Sequence, residues 1–142
     1  MPSFTSQIPN IERDGPLVDV LIGPSRILIE KLKQENLKIP QPISVKMLFD
    51  TGASGTVIQD GLPQKLGLKP LGQTSILTPS SEDCRCLIYQ LSIAFPNRVV
   101  TECPVIAAPL KGQIIQGLLG RDILRHGIFI YNGYMRQFTF SI

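Results

Sequence analysis

Charged residues and long apolar runs are both scarce in this sequence. Asp, Glu, Lys and Arg make up 18% of the 142 residues, and no apolar run approaches the roughly 20 residues that a membrane-spanning helix needs. The first nine residues lack a basic segment followed by an apolar one, so we expect no signal peptide. The 14 basic residues, against 11 acidic ones, do not cluster. We therefore expect neither a membrane nor a nucleic acid as a partner.

Cysteine and histidine are also rare, with three cysteines and one histidine. A bridge between Cys84 and Cys86 would be strained, and Cys103 makes the number odd. We expect reduced, unreactive thiols in a cytoplasmic setting. A metal or redox site at these cysteines is the alternative, but it lacks the usual spacing and a fourth ligand. His126 is interpreted as a surface or helix-capping residue. We expect no metal and no cofactor.

The length and the strand patterns predict one all-β domain. With 43% hydrophobic residues, a chain of 142 residues can bury a core without disulfides or metals. Short runs of apolar and β-branched residues predict strands at residues 17–22, 43–49, 56–58, 74–78, 86–95, 98–107, 113–119, 129–131 and 136–142. Residues 121–126 predict one clear helix. Residues 1–14 are interpreted as an N-terminal arm outside the core, and residues 15–142 as the domain.

Asp50 stands where an apolar predicted strand ends, in the run Asp-Thr-Gly-Ala-Ser-Gly. Burial disfavours an ionised carboxylate, so Asp50 needs hydrogen-bond donors or a neighbour that keeps it protonated. Thr51, Gly52 and Ser54 suit the first solution, since glycine lets main-chain amides turn toward a carboxylate. The triplet alone also fits an ordinary turn.

A second motif lies downstream, where Gly117-Leu118-Leu119-Gly120 passes directly into the helix start Arg121-Asp122-Ile123-Leu124. Together the two motifs resemble the retropepsin-like, retroviral-type aspartic proteases over roughly residues 15–142. The resemblance implies a single-lobe acid-protease barrel with one short C-terminal helix, active as a dimer. It makes Asp50 the catalytic residue, and it makes Leu118, Leu119 and Gly120 the structural backing of Asp50.

The resemblance also implies roles for the residues around Asp50. Thr51 would form a hydrogen bond across the dimer, Gly52 would contact a bound peptide, and Ala53 and Ser54 would line the cleft. Arg121 would hold the loop after Asp50 by an ion pair or by backbone bonds, with a solvent-exposed helix-start residue as the alternative. Asp122 is interpreted as a helix cap rather than a catalytic group.

Two further segments take their interpretation from the resemblance. Residues 78–87 would be the flap that closes over the substrate, with Pro79, Ser80 and Ser81 as substrate contacts, although the tip is not rich in glycine. Residues 27–38 suit a short helix or the outer end of a hairpin on their charges alone. The family pattern favours the hairpin.

Aspartic-protease chemistry requires two carboxylates that share a proton, one ionised and one protonated. This chain has one Asp-Thr-Gly triplet, because Asp14-Gly15 and Asp60-Gly61 lack the intervening hydroxyl residue. The sequence also shows no internal repeat, which excludes a two-lobed protease. We therefore expect a homodimer in which two copies of Asp50 meet. The terminal strand, residues 137–142, either interleaves with its mate or packs within its own subunit.

The function that these features predict is an aspartic endopeptidase acting on a peptide or protein substrate. One alternative is a catalytically silent module of the same fold that serves dimerisation or peptide binding. Another is a protease domain released from a larger polyprotein.

Overall fold

Ten strands and four short helices make up the computed structural model, which describes residues 1–77, 83–110 and 112–142. The strands are β1 (Ser3–Gln7), β2 (Leu17–Gly23), β3 (Ile43–Phe49), β4 (Val57–Gln59), β5 (Gly72–Leu77), β6 (Asp83–Ala94), β7 (Val100–Ala108), β8 (Gly117–Leu119), β9 (Ile128–Asn132) and β10 (Gln137–Ser141). The helices are α1 (Ile11–Asp14), α2 (Arg26–Gln34), α3 (Leu62–Lys65) and α4 (Arg121–Leu124). The predicted all-β class is confirmed.

Six strands close into a barrel. They follow the order β2-β3-β8-β4-β7-β6, and β2 also pairs with β6, which closes the ring, while β5 extends it beside β6. Alternating side chains of β2 and β3, among them Val18, Val20, Val45 and Met47, are buried in the core, as expected for strands with one face in the barrel. Strand β3 runs parallel to β8, with Phe49 beside Leu119. The two sequence motifs therefore follow adjacent strands.

A second sheet of three strands, in the order β1-β10-β9, packs against the barrel. All six phenylalanines of the chain meet between this sheet and the barrel. The ring of Phe49 lies 5.0 Å from that of Phe129 and 4.9 Å from that of Phe140, distances at which aromatic pairs attract beyond simple burial. The sheet thus anchors the end of β3, one residue before Asp50.

Residues 26–34 form a helix, so the predicted hairpin before the Asp50 strand is wrong. The Ser25 hydroxyl caps the helix by accepting a hydrogen bond from the Leu28 N–H at 3.3 Å. Arg26 and Glu30 form an i,i+4 ion pair at 3.4 Å on the exposed side. Leu28 packs against the core from the other side. These local preferences favour a helix in this segment, rather than the hairpin that the family pattern predicts.

The expectation that the first residues stay outside the core is also wrong. Strand β1 pairs along its length with β10, from Ser3 beside Ser141 to Gln7 beside Gln137. Its alternation turns Phe4 toward the core and leaves Thr5 exposed. Ile11 is only 1% exposed. The segment therefore contributes both a strand and a core side chain.

The helices of the described residues are short, between four and nine residues. None of them is long and apolar enough to cross a membrane.

Candidate active site

Asp50 lies at the point where β3 leaves the barrel. Its backbone N–H donates to the Leu119 carbonyl at 2.9 Å, and its own carbonyl accepts from the Ala53 N–H at 3.2 Å. The carboxylate Oδ1 accepts a hydrogen bond from the Gly52 N–H at 2.8 Å. The residue as a whole is half-buried. The carboxylate is thus oriented by the backbone and open to solvent on one side.

Gly120 brings the second motif into direct contact with this turn. A Cβ at Gly120 would lie 2.6 Å from both the carbonyl carbon and oxygen of Gly55, and 3.0 Å from the Ala53 oxygen. No larger residue fits there without displacing backbone. Leu119 beside it is fully buried, and Leu118 is half-buried. The predicted backing residues therefore lie directly behind the Asp50 turn.

Arg121 ties the turn together through two backbone carbonyls. Its guanidinium Nη1 donates to the Thr51 oxygen at 2.7 Å, and its backbone N–H donates to the Ala53 oxygen at 2.9 Å. Arg121 is exposed to solvent, and its side chain also lies against the loop after Asp50. The turn is held at both ends by one residue of the second motif.

Thr56 is a site residue to which sequence reasoning gave no role. It is the one buried polar residue among those described, with 1% exposure. Its N–H donates to Oδ2 of Asp122 at 2.9 Å and its hydroxyl donates to Oδ1 at 2.8 Å. Asp122 also accepts from the Ile123 N–H at 2.9 Å in the first turn of α4. The N-cap of α4 is Gly120, and the helix has no side-chain cap hydrogen bond, so Asp122 is not the helix cap that the sequence predicts. Asp122 lies in the first turn and clamps Thr56, just before β4.

The predicted substrate contacts divide into two groups. Thr51, Gly52 and Ser54 are exposed and Ala53 is half-buried, all on the turn that carries Asp50. Pro79, Ser80 and Ser81 lie outside the described residues. The strands that lead to them, β5 and β6, pair from Gly72 beside Ile88 to Leu77 beside Asp83.

A cavity of about 400 Å³ lies beside the end of β3, where the sequence interpretation assigned no site. Leu48, two residues before Asp50, lines it together with Leu17. The other lining residues include Arg13, Asp14, Lys46, Ile114 and Ile115. Arg13 and Asp14 form a two-point ion pair at 2.8 and 3.0 Å. The hydrogen bond from Arg13 lowers the pKa of the Asp14 carboxyl below its ordinary value. The cavity is thus mainly apolar, with a charged rim.

The cysteines and possible metal ligands add no second site within the described part of the chain. Cys86 and Cys103 are both buried. Burial, with a smaller effect of the nearby Asp122 carboxylate, raises the pKa of Cys103 to about 12. A thiol that stays protonated is a poor nucleophile. Among the described residues, no three His, Cys, Asp or Glu side chains come close enough to hold a metal ion.

A half-exposed aspartate on an Asp-Thr-Gly turn, backed by an apolar-apolar-Gly strand, defines an aspartic-protease type of site. The aspartyl protease family model matches residues 36–123, which contain the Asp50 motif and the second motif up to Ile123, and which make up more than half of the chain. The chain belongs to the aspartyl protease family. Membership of this family supports a protease-type function for the chain.

The fold is similar to a solved structure of a retropepsin-like aspartic protease from Rickettsia conorii. The two chains share 20% sequence identity with a TM-score of 0.52, and the match covers 97% of this chain and 92% of that one. At this identity the likeness concerns the fold, and it confirms the predicted retropepsin-like barrel. No curated protein sequence matches the chain.

Proposed function

We propose that the chain is an aspartic endopeptidase that hydrolyses peptide bonds between two copies of Asp50, one from each subunit of a homodimer. The observation that carries the proposal is the Asp50 carboxylate itself. It is half-exposed at the end of a buried strand and accepts the Gly52 N–H at 2.8 Å. Such a carboxylate is fixed in direction yet accessible to water and substrate, as a general base must be.

The reaction divides between the two carboxylates. An ionised Asp50 takes a proton from a water molecule as the water oxygen forms a bond to the peptide carbonyl carbon. The protonated Asp50 of the second subunit donates to the carbonyl oxygen, giving a neutral tetrahedral diol. When the C–N bond breaks, one proton goes to the leaving nitrogen and another returns from the diol to the pair. The products are a carboxylic acid and an amine, and the pair again shares one proton.

A second copy is needed because the other aspartates near the site already have partners. Asp14 pairs with Arg13, and Asp122 accepts hydrogen bonds from Thr56 and from the Ile123 N–H. Neither of them follows the Asp-Thr-Gly pattern. When two like carboxylates lie close together, one of them stays ionised while the other stays protonated, which is the arrangement that the reaction requires.

The surroundings of Asp50 suit an extended peptide. We assign Thr51 to contacts across the dimer, Gly52 to a backbone contact with the peptide, and Ala53 and Ser54 to the cleft wall. The cavity lined by Leu17 and Leu48 suits an apolar substrate side chain, since apolar lining with few polar groups is typical of ligand pockets. Pro79, Ser80 and Ser81 remain predicted contacts of a flap.

The test is cleavage of a mixed peptide library by the wild type and by Asp50→Asn, from about pH 3.5 to 7.5 to cover the carboxylate titrations. We expect Asp50→Asn to lower the rate by roughly 10²–10⁴-fold or more, the range of general acid-base catalysis, with dimer and fold intact by sedimentation. Activity that persists in Asp50→Asn would refute the proposal. A stable wild-type dimer that binds peptides without cleaving them at any pH would favour the silent binding module instead.

A further inference from the structure

Strand β10 is the central strand of the three-stranded sheet. It pairs with β1 from Gln137 to Ser141 on one side and with β9 over the same residues on the other. Both backbone edges of β10 are therefore occupied within its own subunit. Of the two arrangements expected for the terminal strand, the structure gives packing within the subunit. A second copy can extend this sheet only at β1 or at β9.

The two open edges differ in their side chains. The outward residues of β1 are the exposed polar Ser3, Thr5 and Gln7, and the Thr5 hydroxyl is hydrogen-bonded to that of Thr139 at 2.8 Å. In β9 the exposed residues are Ile128 at 57%, Ile130 at 54% and Tyr131 at 49%. The turn after β9 adds the exposed Tyr134 and Met135. The polar edge and the apolar edge thus lie at opposite sides of one sheet.

Strand β9 also lacks the features that usually protect an edge from pairing. Residues 128–132 contain no charged residue and no proline. Charged residues, lysine above all, and proline are the common protection of edge strands against edge-to-edge association. Contiguous exposed apolar side chains on a soluble protein mark an interaction surface more often than chance. The edge of β9 has the chemistry of an interface.

The position of β9 identifies the partner. Phe129 of β9 packs against Phe49, with ring centres 5.0 Å apart, and Phe49 directly precedes Asp50. A strand added at β9 therefore joins the layer that supports the catalytic turn. The inference rests on the proposed function, in which one Asp50 turn is half of a site and needs a second copy beside it. An identical chain is the partner that satisfies both requirements.

We propose that β9 of one subunit pairs with β9 of a second copy, so that two three-stranded sheets join into one sheet of six strands. A twofold axis makes two identical strands antiparallel and sets each residue opposite its equivalent about the centre. Ile130 is the central residue of β9. It lies next to the axis, where it contacts Ile130 of the second copy.

A pair of charge substitutions tests the surface. Ile130→Lys brings two lysines together at the axis, and we expect the dimer dissociation constant to rise by roughly 100-fold or more because two like charges would lie directly opposite each other across the paired strands. Activity should fall at low protein concentration and recover at high concentration. Gln7→Lys places the same charge on the opposite edge and should dimerise like the wild type. Sedimentation at several concentrations measures both.

A cross-linking experiment covers the case in which Ile130→Lys fails to fold. Cβ atoms of directly opposed residues in antiparallel strands lie about 4.5–5.5 Å apart, within reach of a disulfide after small adjustment. In a Cys84→Ser background, Ile130→Cys should form a disulfide-linked dimer on mild oxidation, whereas Gln7→Cys should remain uncross-linked. The cross-link is read on a non-reducing gel and reversed by a thiol.

The outcomes separate this inference from the proposed function. The β9 interface would be overturned if Ile130→Lys dimerised as strongly as the wild type, or if Gln7→Cys formed the cross-link instead of Ile130→Cys. Either result would leave the shared Asp50 site in place. A wild-type chain that cleaves peptides as a monomer would overturn both. Selective loss of the dimer in Ile130→Lys together with the Ile130→Cys cross-link would support the interface.

Discussion

Thr56 and Asp122 join the strand after the Asp50 turn to the start of α4 by two hydrogen bonds, at 2.9 and 2.8 Å. The Thr56 hydroxyl also accepts the Gly120 N–H at 3.2 Å. One buried side chain therefore connects both sequence motifs. Since Gly120 packs on the Asp50 turn itself, this network fixes the position of the Asp50 turn without touching the carboxylate.

The first prediction concerns the Thr56 hydroxyl. Thr56→Val keeps the shape but leaves the Gly120 N–H without a partner and removes one of the two hydrogen bonds to Oδ1 of Asp122, which keeps the Ile123 N–H. A buried group left unsatisfied costs roughly 1–3 kcal/mol. Thr56→Ser retains the hydroxyl and is the matched control. We expect Thr56→Val to lower the free energy of unfolding by about that amount relative to Thr56→Ser, as measured by urea unfolding at one fixed protein concentration. We also expect a lower kcat for Thr56→Val in a peptide-cleavage assay. Equal stability and equal kcat in the two variants would contradict the clamp.

The second prediction concerns the contact behind the turn. Gly120→Ala would place its Cβ 2.6 Å from the Gly55 backbone, so the Asp50 loop must move. Overpacking of this kind costs about 1–3 kcal/mol, and we expect a large loss of kcat because the loop carries Asp50. Gly72→Ala is the control, since its Cβ would meet no atom within 4 Å. Wild-type activity in Gly120→Ala would show that the contact does not position the loop.

The third prediction concerns pH and Cys103. Its pKa is about 12 in the folded chain against an ordinary 9.0, because burial disfavours the thiolate. The unfolded chain therefore loses this proton first as pH rises. The stabilising contribution is complete below pH 9 and is lost as pH rises toward 12, at about 1.4 kcal/mol per pH unit.

Cys103→Ala removes this contribution and is compared with the wild type, so that the titration of lysines and tyrosines cancels. Unfolding free energies from pH 8 to about 11 should decline more steeply in the wild type than in Cys103→Ala. Parallel curves would contradict the buried thiol. Alkylation of Cys103 in the folded protein near pH 9 would contradict it independently.

Much of the fold followed from local patterns in the sequence. The hairpin of β9 and β10 and the strand that ends at Asp50 are local features, set by alternating apolar residues and turn residues. The hairpin predicted for residues 27–38 is wrong because it depends on the family pattern, whereas the local serine cap and the i,i+4 ion pair favour a helix. The core position of Ile11 depends on pairing between the two ends of the chain, which no local pattern reveals.

The candidate site was predictable from the sequence where its residues stand in motifs, and not elsewhere. Asp50, Gly120 and Arg121 stand in recognisable motifs, and the structure brings them together. Thr56 stands in no motif, and its partner Asp122 is 66 residues away. A threonine just before a strand is ordinary in sequence, and the importance of Thr56 comes from a burial that only the folded chain shows. The cavity beside Leu48 likewise assembles residues from separate segments.

The central claim is that two copies of Asp50 form one site, and a mixing experiment tests it most directly. Wild type and Asp50→Asn are combined in varying ratios, allowed to exchange subunits, and assayed at constant total protein. If every active site needs an Asp50 from each subunit, activity falls as the square of the wild-type fraction, to about one quarter in an equal mixture. A linear decline, to about one half in the equal mixture, would show that each chain acts alone and would contradict the shared site.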